Sequence, residues 1–403
     1  MQNREKHDIL LTWELGNELG HLARLRPLAL KLQQRGHRVM VATSRTDSSS
    51  VLPASVPMIE APSPRLASVG DAIREPATFA DILYNTGATQ TGALEKTVRA
   101  WRTIFDETQP DVVVQDYSPF ALLALQGLPP RSVLLGTGFA CPPDTRPLPD
   151  IRAWQNHYPD RLAMTERAVL DALNAQLERQ QQPQLEGIGE LFTKVDANCL
   201  ATFPELDHYP ARPPASQQEY VGVWSDLDGS KPNWPDGEGP RIFAYLKPFR
   251  ALPRLLEHIS ASGHPCLVFT KAAADLDRWQ TDHMRIVGKP LDMRQVTREC
   301  DFAILHAGHG STATVLLAGK PILQLPFNVE QFHTAKNTEG LGAGVMALTD
   351  DTLAMCAAFD QLIANQGLRE GAARFAAGHS DFDADLALEM VVLRIEQCVG
   401  TAA

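Results

Sequence analysis

The sequence predicts an α/β protein with two Rossmann-like, doubly wound domains, and three observations support this. The chain has 403 residues, which exceeds the usual size of one domain. Short apolar segments alternate with amphipathic segments in both halves, a pattern typical of parallel sheets covered by helices. A proline-rich segment separates the halves. The apolar content of 44% allows a large core and excludes a disordered or fibrous protein.

The first half begins with a βαβ unit. An apolar strand over residues 9–12 leads into a loop that contains Gly16 and Gly20, and a leucine-rich helical pattern then ends at Gly36. A second strand over residues 38–43 follows, as a parallel neighbour requires. The other predicted elements of this half are strands over 110–116 and 132–136, a helix over 120–125 and a long helix over 163–191.

The second half repeats this alternation after a stretch with seven prolines between residues 204 and 240, which indicates a linker. We therefore expect a first domain over 1–203, a linker over 204–240, a second domain over 241–385, and a helix over 386–403 that packs on the first domain. A ligand cleft is expected between the carboxyl ends of the two sheets. The predicted elements of the second half are strands over 241–246, 265–270, 284–287, 301–305 and 321–325, and helices over 252–262, 293–300 and 311–318.

Charge and cysteine content narrow the function classes. Lys and Arg number 37 against 48 acidic residues, giving a net charge of -11, so no general attraction to nucleic acid is expected. The six cysteines lie far apart, which indicates neither a zinc site nor a disulfide framework. The apolar segment near the N-terminus is too short for a signal sequence or a membrane span, so a cytoplasmic location is expected. The oligomeric state stays open.

The segment after the strand at 301–305 has the composition of an anion site. It contains two glycines, two hydroxyl side chains and two histidines, in the order His306, Ala307, Gly308, His309, Gly310, Ser311, Thr312. Free N–H groups at a helix start can bind a phosphate, and glycine lets the backbone approach it. The alternative is an ordinary tight turn in which Ser311 caps the helix.

The context of this segment resembles a known family. The stretch from His306 to Pro321, followed by Pro326 and the pair Glu330-Gln331, resembles the donor-binding signature of the UDP-glycosyltransferase superfamily (family 1, inverting, GT-B fold). Two other segments of the chain resemble the opening unit and the domain-crossing segment of that family: Gly20-His21 with Arg35-Gly36-His37, and Pro204-Glu205-Leu206 with Tyr220-Val221-Gly222. The resemblance spans nearly the whole chain.

This resemblance implies a nucleotide-sugar donor, a small-molecule acceptor and roles for particular residues. His21 would be the general base that takes the acceptor proton, and Asp116 would orient it. The diphosphate would be held by His306 and by Gly308, His309, Gly310, Ser311 and Thr312, while Glu330 and Gln331 would bind the sugar hydroxyls. Taken alone, His21 could simply bond at a helix start, and Asp116 could cap the next helix.

The chain departs from the family pattern at three positions. Thr314 stands where a Glu usually binds the ribose, so nucleotide affinity is in question. Lys247 follows the first strand of the second half, where it could face the leaving diphosphate or the solvent. Arg24 replaces a proline, and could face the donor or the solvent.

The acceptor site is predicted only loosely, from aromatic and acidic residues in the expected loops: Trp13, Glu14, Tyr84 and Phe139. Each could instead be a core residue. Three Asp-x-Asp patterns, at 226/228, 275/277 and 381/383/385, read as caps or linker residues, so no metal and no other cofactor is expected. Two alternatives to a glycosyltransferase are compatible with the sequence, a nucleotide-sugar 2-epimerase and a non-catalytic nucleotide-sugar-binding protein.

Overall fold

A computed structural model describes residues 6–16, 20–44, 51–62, 71–215, 217–224, 229–270 and 279–400. The chain divides into two units, of which the first comprises residues 1–203, 209–225 and 384–403, and the second residues 204–208 and 226–383. Each unit is an α/β structure around its own parallel sheet. The predicted fold class of two doubly wound α/β domains is confirmed.

The first unit contains a seven-stranded sheet in the described residues, with strand order β3-β2-β1-β4-β5-β6-β7. Its strands are β1 (Asp8–Trp13), β2 (Arg38–Thr43), β3 (Met58–Glu60), β4 (Val112–Asp116), β5 (Arg131–Gly136), β6 (Ala197–Leu200) and β7 (Gln218–Tyr220). Its helices are α1 (Gly20–Gln34), α2 (Phe79–Asn85), α3 (Thr91–Thr108), α4 (Pro119–Leu125), α5 (Pro159–Arg179) and α6 (Glu190–Thr193). The central strands β1 and β4 are apolar throughout their middles because helices cover both faces of a parallel sheet.

The second unit contains a six-stranded sheet in the described residues, with strand order β10-β9-β8-β11-β12-β13. Its strands are β8 (Ile242–Leu246), β9 (Cys266–Thr270), β10 (Met284–Val287), β11 (Phe302–Leu305), β12 (Ile322–Gln324) and β13 (Gly344–Met346). Its helices are α7 (Leu252–Ala261), α8 (Met293–Glu299), α9 (His309–Leu317), α10 (Val329–Gly340), α11 (Thr352–Ala364) and α12 (Gln366–Gly378).

A C-terminal helix, α13 (Ala384–Gly400), belongs to the first unit. Ion pairs connect it to α1 and to the residue that follows α1, and they include Lys31 with Glu389 at 3.2 Å and Arg35 with Glu396 at 3.0 Å. The helix therefore begins two residues before the predicted boundary at 386 and packs on the domain that the sequence indicated.

Two of the sequence-based boundaries need correction. The segment 204–240 is not a separate linker, because its residues are divided between the units: 204–208 and 226–240 belong to the second and 209–225 to the first. The long helix predicted over 163–191 ends at Arg179, because Gln181 adopts a left-handed backbone (φ 57°) and Pro183 follows. Within the described residues, no helix is long and apolar enough to cross a membrane.

Candidate active site

The first group of candidate residues lies where the strand order of the first sheet reverses. β1 and β4 are neighbours in this sheet, and their connections leave in opposite directions along it, as at the ligand-binding edge of other doubly wound sheets. In the register of the two strands, Trp13 at the end of β1 is opposite Asp116 at the end of β4. His21 lies in the first turn of α1, the helix that follows β1.

His21 and Asp116 are in direct contact. The Nδ1 atom of His21 lies 3.0 Å from Oδ1 of Asp116, whose side chain is fully buried, while 12% of the His21 side chain is exposed. Neither of the simpler interpretations holds. Asp116 does not cap a helix, because the N-cap of α4 is Ser118, and Nδ1 of His21 contacts a carboxylate on β4.

Asp116 has a second partner that the sequence did not indicate. Arg24, one turn after His21 on α1, donates from Nη2 to both carboxylate oxygens at 2.7 Å and from Nε to Oδ2 at 3.2 Å. Its backbone carbonyl accepts a hydrogen bond of 3.0 Å from the indole nitrogen of Trp224. Both expectations for Arg24, a donor contact or a solvated side chain, are corrected, because Arg24 is buried against Asp116.

The charge on Asp116 follows from these contacts. Burial alone would raise its pKa, but the positive charge of Arg24 and then the hydrogen bonds and charge of His21 outweigh it, so the pKa lies below its ordinary value. Asp116 is therefore an anion at neutral pH. An anionic carboxylate beside Nδ1 accepts the Nδ1 proton, which leaves Nε2 as the nitrogen that can take up another.

Aromatic rings hold the imidazole on both sides. Trp13 stacks on His21 at a centroid distance of 5.0 Å, and Tyr117 does so at 5.9 Å. Tyr117 has a left-handed backbone (φ 50°), an uncommon conformation for a non-glycine residue, directly after Asp116. Gly16 passes close to the ring, since a Cβ at this position would lie 3.0 Å from Nε2 of His21.

Three of the four predicted acceptor residues are core residues. Trp13, Glu14 and Phe139 are at most 3% exposed, so these acceptor assignments are corrected. Trp13 supports the His21 ring instead, and Phe139 packs edge-on against Tyr117 at 6.5 Å. Tyr84, in α2, is partly buried, and its acceptor role stays a prediction.

Glu14 anchors the helix that follows β4. Its carboxylate accepts hydrogen bonds from the indole of Trp101 at 2.9 Å and from the backbone N–H groups of Phe120 and Ala121 at 2.9 and 3.4 Å. Burial raises its pKa to about 7, although these three donors act in the opposite direction. Glu14 thus satisfies the otherwise unbonded N-terminus of α4.

The second group of candidate residues lies at the corresponding position of the second sheet, where β8 and β11 are neighbours and the order reverses. The register of these strands pairs Leu305 with Tyr245. His306 follows β11, and its Nδ1 lies 3.3 Å from the carbonyl oxygen of Tyr245. Ala307 then turns the chain with a left-handed backbone (φ 57°) into α9.

The segment of residues 308–311, here named the phosphate cradle, forms the start of α9. Gly308 is the N-cap and has no side-chain hydrogen bond to the helix, so the interpretation of Ser311 as the cap is wrong. The first N–H groups of a helix have no partner within it and carry the positive end of its dipole. A Cβ on Gly310 would meet no atom within 4 Å, so the backbone here is open to a ligand.

Two threonines near this turn are bonded within the protein. The Thr312 side chain is buried, and its hydroxyl accepts a hydrogen bond of 3.1 Å from the amide of Gln324. Its predicted contact with a diphosphate is therefore corrected, because a buried, bonded hydroxyl does not reach a ligand. The Thr314 hydroxyl donates to the carbonyl of Gly310 at 2.8 Å, within its own helix.

The remaining donor candidates lie on the loops after β8 and β12. Glu330 and Gln331 are in the first turn of α10, which Asn328 caps, rather than on a loop. The Gln331 side-chain oxygen accepts a hydrogen bond of 2.8 Å from the backbone N–H of Phe327. Lys247 is half-buried, with its ammonium group 5.7 Å from the centre of the Phe327 ring. His309 is buried, with its ring 5.2 Å from that of His208.

A metal centre is not evident in the part of the chain that the structure describes. No group of three or more His, Cys, Asp and Glu side chains there could hold an ion. The pairs Asp226/Asp228 and Asp275/Asp277 lie outside the described residues, and Asp381, Asp383 and Asp385 are exposed around the start of α13.

Comparisons with known proteins show what this chain is similar to. A family model described as the C-terminal domain of erythromycin biosynthesis protein CIII-like proteins matches residues 257–383. The PGL/p-HBAD biosynthesis rhamnosyltransferase of Mycobacterium bovis (strain BCG / Pasteur 1173P2) is 27% identical over 305 residues, which cover 70% of this chain and 67% of that protein.

Solved structures show the same fold. The calicheamicin glycosyltransferase CalG4 superposes with a TM-score of 0.71 at 17% identity, covering 99% of this chain and 100% of that chain. The spinosyn rhamnosyltransferase SpnG complexed with thymidine diphosphate gives a TM-score of 0.69 at 16% identity, covering 96% and 99%. The chain has the GT-B fold of these glycosyltransferases.

Proposed function

We propose that the protein is an inverting glycosyltransferase that moves a sugar from a nucleoside-diphosphate sugar to a hydroxyl group of a small, lipophilic acceptor. The observation that carries this proposal is the contact of 3.0 Å between His21 and the buried Asp116 at the switch point of the first sheet. A histidine held by an anionic carboxylate is suited to proton abstraction at neutral pH.

The proposed reaction assigns a step to each of these groups. Asp116 holds the proton on Nδ1 of His21, so Nε2 takes the proton of the acceptor hydroxyl. The acceptor oxygen then forms a bond to the anomeric carbon while the bond from that carbon to the diphosphate oxygen breaks. The nucleoside diphosphate leaves with the electron pair, and a single in-line displacement inverts the anomeric centre.

The phosphate cradle supports the donor part of the proposal. Its helix N-terminus offers N–H groups and a partial positive charge to the leaving diphosphate. His306 and Lys247, on the loops after β11 and β8, are placed at the same edge of the second sheet and can add positive charge. We propose that these groups replace a metal ion in stabilising the leaving group.

The nucleotide is proposed to be thymidine or uridine diphosphate. Support for thymidine comes from SpnG, which is described as complexed with thymidine diphosphate. Glu330 and Gln331, in the first turn of α10, are proposed to contact the sugar. For Gln331 the amide group is the donor in this contact, since its oxygen accepts from Phe327.

A lipophilic acceptor is supported by the surroundings of His21. The ring lies between Trp13 and Tyr117, and Phe79 and Phe139 pack around Tyr117. Trp13, Phe79 and Phe139 are core residues, so they give the base surroundings of low polarity and do not themselves contact the acceptor. Such surroundings favour an acceptor with an apolar or aromatic body.

The proposal is tested in two steps. Thermal shifts with thymidine and uridine diphosphates and their sugars identify the nucleotide, because a ligand that binds the folded state raises the melting temperature. The preferred donor is then incubated with a panel of phenols and aliphatic alcohols, and the products are identified by mass spectrometry and by NMR of the anomeric proton.

We expect a glycoside of inverted configuration together with free nucleoside diphosphate. An epimerised donor in the absence of acceptor would indicate a 2-epimerase instead. Donor binding without release of nucleoside diphosphate across the panel would indicate a binding protein. Retention of configuration would overturn the single-displacement mechanism.

A further inference from the structure

Arg24 is a buried, charged residue of the first unit to which the proposed reaction assigns no role. It is buried, and it makes three hydrogen bonds of 2.7 to 3.2 Å to Asp116, while His21 makes one contact of 3.0 Å to the same carboxylate. Asp116 is therefore shared between a permanent cation and a titratable imidazole. Arginine does not lose its proton in proteins, so one charge of this trio is fixed.

We propose that Arg24 is a positioning residue that fixes the Asp116 carboxylate toward His21 and shifts the activity of the enzyme to lower pH. This inference rests on the proposed function, because it assigns His21 the role of base. It adds a residue that the resemblance to the family does not supply, since that family has a proline at this position.

The positioning effect follows from geometry. A carboxylate that accepts from both Nη2 and Nε of one guanidinium group has its plane fixed by two donors. The oxygen that faces His21 is thereby held at hydrogen-bond distance from Nδ1. Arg24 is itself anchored, because its backbone carbonyl accepts the indole hydrogen bond of Trp224 at 3.0 Å.

The electrostatic effect follows from charge balance. Without Arg24, the negative charge of Asp116 would stabilise a protonated His21 in full. With Arg24 present, the trio is neutral before the proton arrives and positive afterwards, so protonation of His21 is less favourable. Arg24 therefore opposes the build-up of positive charge on the imidazole.

Other charged or titratable groups around His21 do not replace Arg24 among the described residues. Glu14 is on the same loop as Gly16, but its carboxylate faces Trp101 and the start of α4. Tyr117 presents its ring to the imidazole. In the described residues, the Asp116 carboxylate is thus in contact with both His21 and Arg24.

The test compares the pH dependence of kcat/KM for the wild type, Arg24→Gln and Arg24→Lys. For Arg24→Gln we expect the midpoint of the acid limb to rise by about one pH unit, together with a fall in the plateau rate. Arg24→Lys keeps the positive charge but loses the paired Nε and Nη2 donors. For this variant we expect a lower plateau rate and an unchanged midpoint of the acid limb. Arg26→Gln, an equal charge change on the same helix, serves as control.

A second measurement keeps the test independent of turnover and of the folding of one variant. The His21 ring signal is followed by NMR through a pH titration of the full chain, in Asp116→Asn and in Asp116→Asn/Arg24→Gln. The double variant removes both charges, so no unpaired charge from this pair is left in the interior. We expect its titration midpoint to lie about one pH unit above that of Asp116→Asn.

The outcomes separate the two proposals. Absence of transfer by the wild type would refute the proposed function, while the NMR titration would still test Arg24. Wild-type transfer with equal acid-limb midpoints in Arg24→Gln and the wild type, or equal NMR midpoints in the two Asp116 variants, would refute the role of Arg24. A purely structural role would lower the plateau and the melting temperature without moving either midpoint.

Discussion

Glu14 gives the sharpest prediction about stability, because it is a carboxyl group buried in the core of the first unit. Its pKa is raised from the ordinary value of 4.5 to about 7 by burial, against the hydrogen bonds from Trp101, Phe120 and Ala121. A raised pKa means that the folded state favours the protonated form. The stabilising effect is therefore complete below pH 4.5 and is lost as the pH rises through about 7.

The magnitude follows from the size of the shift. At about 1.4 kcal/mol for each pH unit, the contribution that disappears over this interval is about 3 kcal/mol. The variant Glu14→Gln does not ionise, and its amide oxygen can still accept from the N–H groups of α4. We therefore expect the free energy of unfolding of the wild type to fall by about 3 kcal/mol relative to Glu14→Gln as the pH rises from 4.5 to 8.

The assay is urea unfolding at several pH values, followed by tryptophan fluorescence, since Trp101 bonds Glu14 directly. Titration of the histidines is common to both proteins and cancels in the difference. Two parallel curves of unfolding free energy against pH, or a wild type that gains stability relative to Glu14→Gln with rising pH, would refute the reasoning.

Two glycine substitutions test the two sites. Gly310→Ala adds a methyl group that meets no atom within 4 Å, so we expect an unchanged melting temperature but a donor Kd at least about tenfold higher by calorimetry. Gly340→Ala, where the added methyl group is equally uncrowded, serves as the control. Equal donor Kd values for the two variants would contradict donor binding at the phosphate cradle. Gly16→Ala places a Cβ 3.0 Å from Nε2 of His21, so we expect kcat to fall at least about tenfold with donor Kd retained. Gly36→Ala controls for backbone strain, since its φ is +97° with only Lys6 Cε at 4.0 Å, and equal losses in both variants would refute a specific effect on His21.

The parallel α/β class and the residues at several strand ends were predictable because local patterns indicate them. The alternation of apolar strands with helices fixed both domains, and residues at the ends of neighbouring parallel strands share one edge of a sheet. His21 and Asp116 meet for this reason. The resemblance to the family suggested the pairing of His21 with Asp116, and the positions of both residues after strand ends agreed with it.

Residues whose role depends on distant partners were not predictable in this way. The buried position of the Glu14 carboxyl group is explained by its hydrogen bond with Trp101. Trp101 lies 87 residues further along the chain, on a helix that was not predicted from the sequence. Thr312 is explained by the distant Gln324. The sequence held one signal for Arg24, because Arg24 lies three residues after His21 and the two side chains therefore share one face of a helix. Helix periodicity alone does not tell whether that face meets solvent or a buried carboxylate.

The start of α9 shows a different limit. Hydroxyl residues are preferred as N-caps, and the sequence offered Ser311 for this role. The helix begins two residues earlier with Gly308 as its cap. Glycine also fits an N-cap, and here it leaves the helix terminus without a side-chain bond.

The measurement that tests the central claim most directly is single-turnover transfer by His21→Ala to two acceptors of similar shape, an aliphatic alcohol and a phenol that is already ionised at the assay pH. If His21 takes the acceptor proton, the variant transfers to the alcohol about 10² to 10⁴ times more slowly than the wild type. Transfer to the ionised phenol then falls far less, because that acceptor needs no base. Equal losses for both acceptors, or a wild-type rate with the alcohol, would contradict the account.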